Sequence, residues 1–216
     1  RQRQMCIRDR YSTVSSFMID DKIGYVRITQ FIDNTDELFE KAVEKLKKEG
    51  MQALMIDVRS DQGGMLTSVV SICDYLLPEG TIVSIKDKNG KVEEEYKSTD
   101  EQSLDMPMVV LTNEYSASAS EILTSALKEF KVATVVGTNT YGKGIVQSVI
   151  PLGDGTAIKL TTQKYFTHDG NDIHKKGVAP DIEVELPDDY TYKDFQGKND
   201  SQYQKGIEVL KEKLGK

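Results

Sequence analysis

The apolar and polar positions of this chain follow two different periods, which replace one another several times along its length. Near the start, the runs SSFMID and IGYVRITQF have strand character and are joined by a short acidic turn at residues 20–22, which predicts a hairpin. Apolar residues then recur every three to four positions, which predicts a helix that begins at Asn34 or Thr35 and ends at Gly50. Strands that alternate with helices predict the α/β fold class.

A second strand and helix follow, with a pair of glycines between them. Residues 53–58 (ALMIDV) form a continuous apolar run of the kind that is buried on both faces of a sheet. After Gly63 and Gly64, the next helix pattern carries apolar residues on one side, and Cys73 among them is predicted to be a small core residue. The glycine pair has two interpretations. It is either a tight turn that needs a positive φ, or a place where backbone N–H groups approach a ligand.

Hairpins are inserted between these strand–helix units. Asn89-Gly90 gives the strongest hairpin signal, and the turn Gly153-Asp154-Gly155 precedes the strand pattern TAIKLTTQKYF. Residues 1–14 are interpreted as a disordered or artefactual leader, residues 15–186 as one folded core, and residues 187–216 as a linker followed by a helix from about residue 202 to 214.

The stretch Met108–Ile150 holds the candidate chemistry. A buried strand pattern leads into Ser116, Ser118 and Ser120, and an amphipathic helix pattern follows them. A further strand pattern then precedes Lys143, which stands between two glycines, with Gln147 four residues later. Serine is a favoured N-cap residue, so one serine is explained by helix capping alone. Three serines alternating with alanines also suit a crowded site at a helix N-terminus, where an oxyanion would be stabilised.

Composition and charge exclude several classes of protein. The chain has 216 residues and a formal net charge of −7, which argues against a nucleic-acid-binding protein, since that class needs a basic surface for phosphates. No apolar run approaches the roughly 18 to 20 residues of a membrane span.

Two local motifs invite interpretations that the rest of the sequence does not support. Residues 137–143 fit the G-x-x-x-x-G-K pattern of a phosphate-binding loop, but Gly144 replaces the metal-binding Ser or Thr and a strand pattern follows instead of a helix. Nucleotide binding is therefore rejected. His168 and His174 lie in a polar loop without a paired carboxylate pattern, so we expect solvated side chains and no metal site.

A lysine can act as a general base for a serine only in its neutral form, so its pKa must fall from about 10.4 toward 7 to 8. Burial among apolar side chains lowers a lysine pKa, and apolar residues follow Lys143 in the sequence. Gln147, two alternations along an extended strand, would share the face of Lys143 and could orient its amine. A Gly-Lys-Gly segment is, however, also typical of a solvated turn.

Taken together, these segments resemble the carboxy-terminal processing peptidases, or tail-specific proteases. The resemblance runs from about Ser15 to the end of the chain and rests on segments in one order: IGYVRITQF, LMIDVRSDQGG, VVLTNEYSASASEIL, VVGTNTYGKGIVQSV, AIKLTTQKYFT and KGVAPDI. It implies a crotonase-like (ClpP/crotonase) fold with a ββα core, and no cofactor or metal.

The resemblance also implies roles for particular residues. Ser118 would be the nucleophile, Lys143 the general base and Gln147 its support. The oxyanion hole would be formed by the N–H of Ala119 and that of Gly64, or of Gly63 in its place. Peptide cleavage would then pass through an acyl-enzyme on serine, a known variant of the serine triad.

Departures and missing parts qualify this resemblance. Asp61-Gln62 stands where the family usually has Asn-Pro before the two glycines, and Tyr115 stands where glycine is common. The resemblance implies protein substrates bound by their C-terminal region and a PDZ domain of the parent protein that this chain does not include. It also implies an extracytoplasmic location (periplasmic, membrane-anchored or secreted), and a homo-oligomer is a further expectation. The alternatives are a catalytically idle interaction or scaffold domain and, by fold analogy alone, acyl-CoA chemistry.

Overall fold

The computed structural model describes residues 12–99 and 104–215, so most of the predicted leader lies outside the described residues. A six-stranded sheet forms the centre of the fold. Its strands are β1 (Val14–Met18), β2 (Ile23–Ile28), β3 (Ala53–Asp57), β6 (Met108–Thr112), β7 (Ala133–Gly137) and β10 (Ile182–Glu183), in the spatial order β1-β2-β3-β6-β7-β10. β1 and β2 form the predicted antiparallel hairpin, and every other neighbouring pair in the sheet is parallel.

Three helices cover one face of this sheet. They are α1 (Thr35–Lys48), α2 (Leu66–Leu76) and α3 (Ala119–Glu129). Every residue of β3 and β6 is buried, as their continuous apolar runs predict. Alternate side chains of β3 serve different faces, because Leu54 and Ile56 join the core beneath these helices while Ala53 and Met55 join the core on the other side.

A smaller four-stranded antiparallel sheet flanks this core. It consists of β4 (Gly80–Asp87), β5 (Val92–Ser98), β8 (Ile145–Pro151) and β9 (Ala157–Thr167), in the order β5-β4-β9-β8. Both predicted hairpins are confirmed, as β4 pairs with β5 and β8 pairs with β9. The outer end of the β8–β9 hairpin is exposed even where it is apolar, at Val149, Ile150, Leu152, Ile158 and Leu160.

The C-terminal segment closes the second face of the central sheet. Helix α4 (Ser201–Lys213) packs Tyr203, Val209 and Leu210 against that face. A buried ion-pair network fixes its start, because the Arg59 guanidinium bonds to Asp57 at the end of β3 and to Asp200 at the N-cap of α4 (2.7 and 2.8 Å). Residues 187–200, predicted as a linker, are therefore tied to the sheet at their C-terminal end. Within the described ranges, no helix has the length and apolar character to cross a membrane.

Candidate active site

Three loops meet at the edge of the central sheet where its parallel strands end. They follow β3, β6 and β7 and carry the Gly63-Gly64 pair, the serine cluster and Lys143 respectively. In open α/β sheets this edge is where ligands bind. A cavity of about 450 Å³ lies between the loops, and its lining residues are Thr29, Gln30, Ser60, Gln62, Gly63, Gly64, Ser118 and Lys143. Four of the six site residues predicted from the sequence, Gly63, Gly64, Ser118 and Lys143, thus line one cavity, and Ala119 adjoins Ser118.

Ser118 has a backbone conformation that side-chain-bearing residues rarely adopt. Its φ is 58° and its ψ is −112°, and it is the residue immediately before α3. Such conformations cost of order 1–3 kcal/mol and persist only when the surroundings enforce them. Here the Ser118 N–H donates to the Glu121 carboxylate (2.9 Å), and its carbonyl accepts from Glu121 N–H (2.9 Å) and Ile122 N–H (3.0 Å). The turn therefore holds the Ser118 side chain out of the helix and on the cavity wall.

The three serines of the cluster have different environments. The hydroxyl of Ser116 donates to the Val58 carbonyl (2.8 Å), and that of Ser120 donates to the Asp61 carbonyl (3.0 Å). Both serines are fully buried, and their hydroxyls fasten the serine loop to the segment after β3. Ser118, between them, is partly exposed and lines the cavity. Sequence position alone could not separate these roles, because the bonding partners lie almost 60 residues earlier.

The two glycines differ in what their N–H groups do. The Gly63 N–H donates to the Asp61 carboxylate (2.8 Å), so it is already engaged. In the described part of the chain, neither the Gly64 N–H nor the Ala119 N–H has a hydrogen-bond acceptor. Both glycines are needed for close packing, since a side chain on Gly63 would overlap Ala117 and Ala119, and one on Gly64 would overlap the Phe31 backbone.

Lys143 lies on the cavity wall, but the expectation that apolar neighbours bury it is wrong. Its side chain is exposed, and it lines both the cavity that holds Ser118 and a second cavity of about 310 Å³ next to it. The reason is that β8, where the apolar residues after Lys143 lie, is an edge strand of the small sheet. Across the described residues, the Lys143 amine has no hydrogen-bond partner, Ser118 included. Catalytic hydrogen bonds are often long or absent before substrate binds.

Gln147 is not brought to Lys143 by strand alternation as the sequence analysis expected. The pairing of β8 with β9 shifts register between Val146 and Gln147, and such a bulge interrupts the alternation of faces. Gln147 is exposed and lines neither of the two cavities that Lys143 lines.

Glu121 is the residue that sequence reasoning missed. Its buried carboxylate accepts from the N–H groups of Ser118 (2.9 Å), Gly142 (2.6 Å) and Lys143 (2.8 Å), and from the Thr140 hydroxyl (2.6 Å). One side chain thereby joins the serine turn to the lysine loop. A signal was present, because Ser118-x-x-Glu121 is the spacing of a capping box. That spacing predicts only the bond to Ser118, and the bonds to the lysine loop need the fold.

The second cavity extends the site toward two exposed aromatic side chains. Its lining residues are Gln62, Tyr115, Ala117, Tyr141 and Lys143, and the two tyrosines are 57% and 67% exposed. Aromatic side chains on a cavity wall offer both apolar contact area and a hydroxyl for hydrogen bonding.

The two histidines lie away from these cavities. His168, expected to be solvated, instead packs on Phe130 with ring centroids 4.1 Å apart and places Nδ1 2.9 Å from the Thr81 carbonyl. His174 lies in the loop that packs against Gly144. In the ranges that the structure covers, there is no group of three or more His, Cys, Asp or Glu side chains placed to hold a metal ion.

Comparisons with known proteins agree with one another. The family model "Peptidase family S41" matches residues 22–184. The carboxyl-terminal-processing protease of Synechocystis sp. is 38% identical over 188 residues, and the alignment covers 87% of this chain and 44% of that protein. The carboxy-terminal processing protease CtpB of Bacillus subtilis is 43% identical over 167 residues, covering 77% of this chain and 35% of that protein.

A solved structure gives the same result. The photosystem II D1 C-terminal processing protease superposes with a TM-score of 0.76 at 31% identity, covering 92% of this chain and 52% of that one. The chain therefore spans about half, or less, of the length of the proteins to which it is similar. Because the family model matches most of the chain, this protein belongs to peptidase family S41.

Proposed function

We propose that this chain is the catalytic core of a serine endopeptidase that cleaves proteins near their carboxy termini. The observation that carries the proposal is the arrangement around the larger cavity. Ser118, held in a strained conformation at a helix N-terminus, shares the wall with Lys143 and stands beside two N–H groups without acceptors. The substrate class rests on the names of the similar proteins, which are carboxy-terminal processing proteases.

In the proposed mechanism, neutral Lys143 accepts the proton of the Ser118 hydroxyl while Oγ forms a bond to the peptide carbonyl carbon. The carbonyl electron pair moves to its oxygen, and the resulting oxyanion accepts hydrogen bonds from Gly64 N–H and Ala119 N–H, with the start of α3 adding partial positive charge. The C–N bond then breaks as the Lys143 ammonium protonates the leaving amine. Water, deprotonated by Lys143, attacks the ester, and Ser118 recovers its proton as the acid product leaves.

Gly64 is a better donor for this role than Gly63, because the Gly63 N–H is already bonded to Asp61. Both glycines line the cavity, but Gly64 is exposed while Gly63 is buried, so Gly64 is the more accessible to an incoming substrate.

Because Lys143 is exposed in the free chain, we propose that the substrate itself helps to make this lysine a base. A peptide that fills the cavity would remove water from the Lys143 amine, and the removal of water disfavours the charged form of an amine. Gln147 would reach the amine only after the β8–β9 hairpin, which carries it, moves toward a bound peptide. We propose this closing contact as the supporting role of Gln147.

The remaining parts of the proposal concern the whole protein. The fold is assigned to the crotonase-like class, and no cofactor takes part. The parent protein would present its substrate through a PDZ domain and would act outside the cytoplasm, and self-association into a homo-oligomer is a further part of the proposal.

A matched set of variants tests the proposal. The chain, Ser118→Ala and Lys143→Ala are each incubated with an unfolded casein-like protein and, separately, with a serine-directed phosphonate. Ser116→Ala serves as a control for the loss of a serine in the same loop. We expect cleavage and labelling to be lost in Ser118→Ala and strongly reduced in Lys143→Ala. Equal cleavage by all variants would contradict the mechanism.

A catalytically idle scaffold is the second candidate, and the strained Ser118 argues against it, because a scaffold gains nothing from holding that conformation. A folded sample that binds peptides but is not labelled by the phosphonate at any pH would favour the scaffold.

A further inference from the structure

Asp61 connects the glycine turn to the serine loop. Its Oδ1 accepts the Gly63 N–H (2.8 Å), and its backbone carbonyl accepts the Ala117 N–H (2.9 Å) and the Ser120 hydroxyl (3.0 Å). The residue is completely buried. Its carboxyl group therefore fixes the position of the turn that places Gly64 on the cavity wall.

Half of this carboxyl group is left without a partner. Within the described residues, Oδ2 of Asp61 is buried and makes no hydrogen bond. A buried oxygen without a hydrogen-bond partner is far more costly in an ionised carboxylate than in the neutral acid. Burial accordingly raises the pKa of Asp61 from 3.8 to about 7, against the opposing effects of the Gly63 N–H, the positive charge of Arg27 and the nearby Ser120 hydroxyl, which itself donates to the Asp61 backbone carbonyl.

The charged groups on the surrounding elements do not form an ion pair with Asp61. Arg27 of β2 is the cation that acts on it, but its guanidinium lies 4.3 Å from the centre of the Phe195 ring. Arg59, at the end of β3, is held by Asp57 and Asp200. The carboxylate of Glu121 in α3 bonds to the serine turn and the lysine loop, and Lys143 is exposed on the cavity wall.

The carboxyl group is close to the atoms that would bind an oxyanion. Oδ1 lies 2.8 Å from the Gly63 nitrogen, and a methyl group on Gly63 would lie 2.8 Å from the Ala119 nitrogen. Adding the intervening bond lengths places Oδ1 within about 9 Å of the Ala119 nitrogen. An oxyanion that accepts from this N–H lies within about 12 Å of Oδ1, and a negative charge at that distance opposes it by a factor of about 10 in rate at an effective dielectric constant of about 20.

We propose that Asp61 is a positioning residue of the oxyanion hole, that it works as a neutral carboxylic acid, and that its ionisation switches the site off. As a neutral acid it orders the Gly63-Gly64 turn through Oδ1 without adding charge. As a carboxylate it keeps that hydrogen bond but opposes the developing oxyanion. The inference rests on the proposed function of the same site.

The test compares the chain with Asp61→Asn, which keeps the acceptor for Gly63 but cannot ionise. The second-order rate constant for labelling of Ser118 by a fluorophosphonate is measured from pH 5 to pH 9 for both proteins. In the ratio of the variant to the unchanged chain, the contribution of Lys143 common to both cancels. We expect a ratio near 1 at pH 5 that rises through about pH 7 to about 10 above pH 8. Asp33→Asn, which changes an exposed carboxylate, controls for surface charge and should keep a ratio near 1 throughout.

A second measurement does not depend on activity. Infrared difference spectra between the chain and Asp61→Asn should contain the carbonyl band of a protonated carboxylic acid at pH 5 and lose it above pH 8. A ratio that stays constant with pH, or an Asp61 that is already ionised at pH 5, overturns the inference while leaving the peptidase assignment intact. Absence of labelling in every protein at every pH would instead overturn the proposed function.

Discussion

Replacing Glu121 by glutamine should loosen the active site and destabilise the whole domain. The carboxylate accepts four hydrogen bonds of 2.6 to 2.9 Å, two at each oxygen. In Glu121→Gln one oxygen becomes an NH₂ group, so two donors lose their acceptor and face another donor. Hydrogen bonds to a charged group contribute about 1.5–3 kcal/mol each, and a buried donor without an acceptor costs about 1–3 kcal/mol.

The two lost bonds therefore amount to about 3–5 kcal/mol of unfolding free energy, allowing for some relaxation of the loop. Because a domain of this size is stable by about 5–15 kcal/mol, the loss is a large part of the total. Urea denaturation followed by circular dichroism measures it, with Glu114→Gln, an exposed glutamate in the same region, as the matched control. The phosphonate-labelling rate of Ser118 should fall as well, since the same carboxylate fixes the backbone of both Ser118 and Lys143.

The reasoning fails if Glu121→Gln unfolds within about 0.5 kcal/mol of the unchanged chain, a difference typical of surface substitutions. A variant that is destabilised as expected but labelled at the normal rate would separate the two claims. Glu121 would then stabilise the fold without positioning the reacting groups.

Three further predictions concern other parts of the molecule. In thermal denaturation, the unfolding free energy of Gly63→Ala should be at least about 2 kcal/mol lower than that of Gly153→Ala. Both glycines have a positive φ, but only at Gly63 do backbone atoms occupy the place of the added methyl group. Asp200→Asn should lower the unfolding free energy by about 3–5 kcal/mol, because the buried Arg59 guanidinium loses one of its anionic partners. The segment before α4 should also become accessible to proteolysis. Unchanged proteolysis would argue that the ion pair is not needed to dock α4. The raised pKa of Asp61 means that the folded state keeps a proton that the unfolded chain releases near pH 3.8. The contribution of Asp61 to the unfolding free energy is therefore fully present below that pH and is lost as the pH rises to about 7, by at most about 4 kcal/mol. Urea titrations at each pH should show this loss as a pH-dependent difference between the chain and Asp61→Asn.

The strands and helices were predictable because their signals are local. ALMIDV reads as a buried parallel strand from its composition alone, and Asn89-Gly90 specifies a hairpin wherever it stands between strand patterns. The position of the site could also be predicted, because loops that follow parallel strands meet at one edge of a sheet. The rejection of a phosphate-binding loop is confirmed as far as its structural reason goes, because residues 145–151 form a strand and not a helix.

The environment of each side chain was much harder to predict from the sequence. The burial of Lys143 was inferred from its neighbours in sequence, but those neighbours lie on an edge strand whose apolar side chains are themselves largely exposed. The alignment of Gln147 with Lys143 assumed an unbroken alternation, which the register shift in β8 interrupts. Both errors have one physical cause. Apolar sequence predicts burial only when another layer of the protein covers the strand.

Two acidic residues show most clearly why a local pattern could not describe the site. Glu121 looks like a helix-capping residue and Asp61 like a turn residue, yet each bonds across a boundary between loops. Asp61 joins the glycine turn to the serine loop, and Glu121 joins the serine loop to the lysine loop. Because the serine loop belongs to both connections, the three loops cannot shift independently, and the geometry around Ser118 depends on both carboxyl groups. A negative charge also has different consequences at Glu121 and at Asp61. The charge of Glu121 is balanced by four donors. A charge on Asp61 would have one backbone donor, from Gly63, and a cation, Arg27, that stacks on the Phe195 ring, which makes Asp61 the point at which pH can act on the site.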